Sequence, residues 1–381
     1  MIELKGKYTS AIIYTNLLEA NCQKHLYELL NHEAFTNQVR VMPDVHEGKG
    51  AVIGFTMPMT QKVIPNVIGV DIGCGMRTIK LGSTLPKSIE KMDEYIRSNV
   101  PFGTDVHNEK FAKYLFSRSW LEKVNLALKK LSNIIPDYEY ELFNETQFKK
   151  ICEKVEMNSQ RAFDSIGTLG GGNHFIELGI SEDNTYWLTI HSGSRQLGQK
   201  VAIYHQRKAG KGELAFLEGR AMGEYLADMV VCQMYASLNR EIMNQLIIQN
   251  SDLEVIECIH NYINFDDMII RKGAISSYKN EKIIIPLNME DGILICEGKS
   301  NSDWNYSAPH GAGRIDSRKW CKENLNLEEA QERMKQKGIY ASKLPIDEIK
   351  GAYKNPDEII SFIEPTATIL QRVKPILACK E

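Results

Sequence analysis

The chain has 381 residues, 43% of them apolar and 25% charged, and a formal net charge of −3. That is the balance of an ordinary globular protein with enough chain for a sizeable core, and it excludes nucleic-acid binding by bulk charge, so basic groups for such a role must be gathered locally. No apolar run approaches the ~20 residues of a membrane span, and the opening Met1, Ile2, Glu3, Leu4, Lys5 has no signal pattern, so a cytoplasmic protein without membrane partners is expected.

In chain order, the apolar run 67–70 predicts a strand. Segments 85–99 and 120–133 carry apolar residues at three- and four-residue spacing and predict helices. Segment 186–190 predicts a strand, 214–249 a long proline-free helix, and 282–285 another strand. Segment 326–337 predicts a surface helix with Asn326 as its N-cap, Glu328 and Glu329 in the first turn, and Lys335 and Lys337 in the last. Strands and helices interleave without a regular βαβ rhythm, so the expected class is α+β, with mixed sheets surrounded by helices and chemistry on glycine-rich turns at strand ends. No linker is visible, and 1–381 is expected to be one domain. The eight cysteines are irregularly spaced, without a C-x-x-C pair; they predict small buried hydrophobes and no disulfide framework.

Of nine histidines, His25, His32, His107 and His205 lie in helical or charged settings and read as ordinary core or solvated side chains. His46, His174, His191, His260 and His310 stand beside glycines, asparagines or strand ends. In the turn Asp71, Ile72, Gly73, Cys74 the glycine lets a carboxylate and a thiol aim at one point. Alone, a turn with a half-buried cysteine explains it equally well. His174 follows the glycine run 170–172, His191 ends the next apolar strand, and His260 follows another. Asp71, Cys74, His174, His191 and His260 together suit one or two transition metals; ligand softness favours zinc, and nothing in the residues selects manganese. The turns 170–172 and 311–313 are candidate phosphate nests. Arg195, Lys272, Arg314 and Arg318 accompany such turns and are candidate phosphate contacts.

The motifs P-D-V-H-E-G-K-G, G-V-D-I-G-C-G-M, G-T-L-G-G-G-N-H-F-I-E, H-S-G-S-R-Q-L-G, H-N-Y, R-K-G-A and H-G-A-G-R-I-D-S-R run in that order from 43 to 318. Together with Ala352, Tyr353, Lys354 and Lys380 near the end, this set resembles the RtcB RNA ligases. The resemblance implies the RtcB-like fold and a GTP-dependent enzyme with two Mn²⁺ ions that joins an RNA 3′-phosphate or 2′,3′-cyclic phosphate to a 5′-hydroxyl. It implies that Asp71, Cys74 and His174 hold one ion and Cys74, His191 and His260 the other. It implies His310 as the nucleophile that carries GMP. Asn173, Phe175, Glu177, Asn261, Pro286, Gly311, Ala312 and Gly313 are then guanylate contacts, with Tyr353 and Lys380 at the base. Asp44 and His46 are expected to orient reacting groups. An archease-like activator is a further expected partner.

The segment 286–292 reads P-L-N-M-E-D-G where the family usually has P-G-S-M-G, so Asn288 or Asp291 is expected to substitute in guanylate binding. The departures suggest a divergent branch serving RNA repair and not tRNA splicing. Two other readings stay open on the sequence: a dinuclear metal phosphoesterase that processes RNA ends without joining them, and a non-catalytic RNA-end or metal-binding protein.

Overall fold

A computed structural model of the chain describes residues 1–108, 111–249 and 253–381. A six-stranded sheet runs, in spatial order, Ile2–Lys5, Ser10–Ile13, Val39–His46, Ile53–Pro58, Ile269–Lys272 and Asn261–Asn264. Its only parallel pair joins Ser10–Ile13 to Val39–His46. A seven-stranded antiparallel sheet runs Val255–Ile259, Gly75–Gly82, Tyr186–Ser192, Phe175–Ser181, Ala367–Cys379, Gly292–Gly298 and Lys282–Asn288. Its two edge strands, Val255–Ile259 and Lys282–Asn288, lie against each other, so the sheet curls almost into a barrel and exposes little unpaired edge. The α+β class expected from the sequence is the one observed.

The chain passes between the sheets near His260. Val255–Ile259 belongs to the seven-stranded sheet and Asn261–Asn264 to the six-stranded one, so His260 is the residue at the crossing. Further on, Ile269–Lys272 leaves the six-stranded sheet through Gly273 into Ala274–Ser276, which pairs with Ser307–Pro309 just before His310. Gly273 has φ 60°, and a Cβ there would lie 2.0 Å from Ile53 Cγ2 and 3.2 Å from His310 Cε1, so the turn needs glycine on both counts.

The helix Gly219–Ile247 lies across the strands Gly75–Gly82 and Tyr186–Ser192, and its middle is buried on all sides, at every position from Asp228 to Gln233. It packs with Arg118–Ile134 and Arg195–Ala209 in the largest apolar cluster. The helix expected over 214–249 begins later because Leu217–Glu218 pairs with Lys62–Val63. The helix expected over 85–99 runs Ile89–Asn99, since Pro86 biases its neighbour to extended backbone. Asn326 caps Leu327–Gln336 as expected, accepting from the Glu328 and Glu329 amides. The strand expected at 67–70 is instead the short helix Pro65–Ile68: proline at the first turn is preset for helix and Gly69 at φ 93° stops it, while four apolar residues carry no period that separates the two states. All eight cysteines are free and buried. Among the described residues no helix is long and apolar enough to cross a membrane.

Candidate active site and metal centre

The register Phe175↔His191 sets His174 and His191 at neighbouring strand ends. The next pairing, Gly75↔Ser192, brings the Asp71–Cys74 turn to the same edge. The turn closes through Cys74 N–H donating to Asp71 O at 3.2 Å. Gly193 makes room for it, because a Cβ there would lie 2.1 Å from Asp71 Oδ1. Cys74 Sγ lies 3.5 Å from His174 Nε2 and 3.3 Å from His191 Nε2. His174 Nε2 is 3.0 Å from Asp71 Oδ2, and His191 Nε2 is 3.3 Å from His260 Nε2. Two overlapping donor groups result, Asp71–Cys74–His174 and Cys74–His191–His260, each with its donor atoms within 4.8 Å of one another and sharing the Cys74 sulfur.

The donor set suits a metal. His174 Nδ1–H donates to Leu169 O at 2.9 Å and His191 Nδ1–H to Asn173 O at 3.1 Å, which turns both Nε2 lone pairs toward the sulfur. Burial pushes the Cys74 thiol well above its usual range and His191 and His260 well below theirs. Burial raises Asp71, but the hydrogen bond and charge of His174, with Cys74 and His191, together outweigh it and hold the carboxyl at about 2. Converging lone pairs in a dry site repel, and a divalent cation is what offsets them.

His310 stands beside this cluster, its ring centroid 5.0 Å from that of His260. Its Nδ1–H donates to Asp44 Oδ2 at 2.7 Å, and Asp44 is wholly buried on Val39–His46. That bond fixes the tautomer and leaves Nε2 with the free lone pair. His46 lies roughly parallel to His310, the ring centroids 6.4 Å apart, and burial pushes it down to about 4.

His310, Gly311, Ala312 and Gly313 line a cleft that also reaches His191 and His260. Asn173, Phe175, Glu177, Pro286, Asn288, Tyr353 and Lys380 also line it. Glu177 is buried with no hydrogen-bond partner for Oε1, and burial raises it to about 8 although Lys380 pulls the other way. Asn261 and Asp291, also expected at the guanylate, lie off the cleft wall. Asn261 braces the sheet crossing, accepting from Gly273 N–H at 3.0 Å. Asp291 turns outward to Lys350 at 2.9 Å, and the Asn288 amide is held in the same turn, donating to Asp291 Oδ2 at 2.8 Å.

The four candidate phosphate contacts already have partners. Arg195, at φ 56°, donates to Thr168 Oγ1 at 3.1 Å and Gly103 O at 2.9 Å. Lys272 donates to the Lys49 and Asn66 carbonyls, and burial pushes it down to about 7. Arg314 and Arg318 bind Asp347 and Glu348. Of the four, Arg314 lines the cleft. Glu348 was not singled out in the sequence. It accepts from Arg314, Arg318, Tyr353 Oη–H and Lys380, the last two at 2.6 Å. Burial raises Glu348, yet Lys380, Arg314 and Arg318 hold it at about 2. The only sequence signal for it is its place five residues before Tyr353.

The family described as tRNA-splicing ligase RtcB matches residues 25–381. The RNA-splicing ligase RtcB of Escherichia coli K12 is 28% identical, over 95% of this chain and 95% of its own length. The tRNA-splicing ligase RtcB of Nanoarchaeum equitans is 25% identical, over 89% of this chain and 87% of its own. With near full-length matches, motifs in order and two donor groups sharing one sulfur beside an aspartate-bound histidine, the chain belongs to the RtcB family.

Proposed function

We propose that this chain is an RNA ligase that joins RNA 3′-phosphate or 2′,3′-cyclic phosphate ends to 5′-hydroxyl ends, using GTP and two Mn²⁺ ions, with its 381 residues acting as one domain. The observation that carries the reading is His310: its Nδ1–H is held by buried Asp44, and it lines a cleft shared with His191 and His260. Asp71, Cys74 and His174 would hold one ion and Cys74, His191 and His260 the other. When bound, the ions supply charge neutralisation at phosphoryl oxygens.

His310 Nε2 attacks the α-phosphate of GTP; the N–P bond forms as the bond to pyrophosphate breaks. Asp44 stabilises the charge that develops on the imidazole. Transfer of GMP to the RNA 3′-phosphate then frees His310 and makes an anhydride. The 5′-hydroxyl attacks that phosphate, expelling GMP, which is a better leaving group than any a phosphate monoester offers. In the cleft, Glu177 Oε1 is an unused acceptor suited to guanine N1–H and N2–H, while the Lys380 ammonium suits O6. In this orientation adenine presents an acceptor to the carboxylate and a donor to the ammonium, and is disfavoured. Phe175 and Tyr353 supply apolar faces for the base.

Incubation with α-labelled GTP and Mn²⁺ tests the reading. An acid-labile, alkali-stable label that disappears in His310→Ala supports it; no covalent label with any divalent ion refutes it. Adding an archease-like protein to the same reaction tests for an activator. Repair is favoured over splicing if nicked tRNA or rRNA is joined faster than intron-cleaved tRNA halves.

A further inference from the structure

Asn239 and Arg240 are consecutive on the helix Gly219–Ile247, and neither has any exposed surface. Neither lines the cleft. Burying an amide and a guanidinium together is costly unless their donors and acceptors are satisfied. Here the partners are the segments that carry the candidate metal ligands.

Arg240 Nη1 donates to Gly73 O at 2.9 Å and to Ser192 O at 2.8 Å. Gly73 precedes Cys74, and Ser192 follows His191. Its Nε and Nη2 donate to Glu257 Oε1 at 3.0 and 2.7 Å, on the strand Val255–Ile259 that leads into His260. Asn239 Oδ1 accepts from Gly167 N–H at 2.8 Å and Thr168 N–H at 3.0 Å. Its Nδ2 donates to Thr168 O at 3.0 Å and Gly193 O at 3.2 Å. The 167–169 turn is the one whose Leu169 carbonyl orients His174. Two adjacent side chains therefore touch all four segments that bear Asp71, Cys74, His174, His191 and His260.

We infer that Asn239 and Arg240 are positioning residues of the metal centre, locking the four ligand-bearing segments in one mutual arrangement from behind. The inference rests on the metal reading of those five side chains. It needs the planar fork of arginine: Nη1 serves two carbonyls while Nε and Nη2 serve Glu257, and a single lysine ammonium cannot span both sides.

The test is Co²⁺ titration of full-length wild type, Arg240→Lys and Asn239→Ser at low temperature. It follows the thiolate-to-Co²⁺ absorbance of Cys74, the bound metal after dialysis, and the unfolding of the metal-free protein. Both variants are expected to fold without metal, to bind Co²⁺ about 10–100-fold more weakly, and to show a shifted thiolate band. A variant with a lowered metal-free melting temperature but wild-type Co²⁺ affinity and band overturns the inference, because the pair then serves the core alone. If Arg240→Lys does not fold, the same readings on Asn239→Ser decide. A wild type with no thiolate band removes the metal reading itself and the inference with it, an outcome distinct from unaltered variants beside an intact wild-type band.

Discussion

Glu177 offers a pH signature of nucleotide binding. Its carboxyl is buried at the cleft, Oε1 has no partner, and burial raises it from 4.5 to about 8. At pH 7 only about one site in ten is then ionised, and at pH 8 about half. A guanine that donates N–H groups to this carboxylate binds the ionised form, so below pH 8 binding must expel a proton. The sign follows: affinity rises with pH while the free carboxyl is still protonated and levels once it is ionised. Between pH 6 and 7 the expected gain is nearly tenfold, between 7 and 8 about fivefold, and above 9 little remains. The assay is equilibrium titration of a fluorescent guanine nucleotide at saturating Mn²⁺, in His310→Ala to prevent covalent transfer. Metal-ligand protonation adds its own pH dependence, so the profile is compared with that of the double variant carrying Glu177→Gln. Glutamine accepts one N–H without titrating. The double variant should bind more weakly by roughly 1.5–3 kcal/mol at high pH, and its curve should lack the rise between 6 and 8. Parallel curves for the two proteins would refute the argument, since Glu177 would then be ionised throughout or out of reach of the base.

Asp44→Asn keeps a hydrogen bond to His310 but favours the wrong tautomer, so single-turnover guanylation should slow by about 10²–10⁴-fold with nucleotide affinity unchanged; unaltered transfer would count against the Asp44–His310 pairing. Cys74→Ser should lower bound metal at both donor groups, whereas His260→Ala should lower it at one, as read by metal content after dialysis. Glu348→Gln leaves Lys380 and Arg314 without their shared carboxylate and should cost about 3–5 kcal/mol in urea unfolding, with weaker nucleotide binding; a loss below about 1 kcal/mol would show that solvent replaces the carboxylate easily.

The candidate ligands are legible because each is declared locally. Asp71, Cys74 and His174 lie beside glycines that permit a tight turn, and His191 ends an apolar strand, so strand-end placement follows from segment order. Asn239 and Arg240 carry no such mark. They sit inside a long helical run, where a polar pair reads as a solvated face until neighbouring elements bury it. Glu348 is hidden for a different reason: its partners stand at 314, 318, 353 and 380, and only the tertiary fold brings them to one carboxylate. The helix at Pro65–Ile68 reads as a strand because four apolar residues have no usable period, although its proline is a signal for helix.

The basic residues show what a sequence leaves out about charge. Arg195, Lys272, Arg314 and Arg318 were expected to meet phosphate, and each is already bonded within the protein. Arg314 pairs with the Glu348 carboxylate and Arg318 with those of Asp347 and Glu348, so an incoming phosphate competes with these carboxylates and gains only the difference between the two attractions. Lys272 is a different case. Among the described residues no carboxylate hydrogen-bonds it; it binds two carbonyls from the loops at Lys49 and Asn66 and is pushed down to about 7. Its ammonium joins those loops to the strand that leads through Gly273 toward His310's neighbourhood. The edge that carries the candidate metal ligands belongs mainly to the seven-stranded sheet and Asp44 to the six-stranded one, with His260 at the crossing. Alignment of His310 with those side chains therefore depends on the joint between the sheets, and Lys272 braces that joint before it can serve any phosphate.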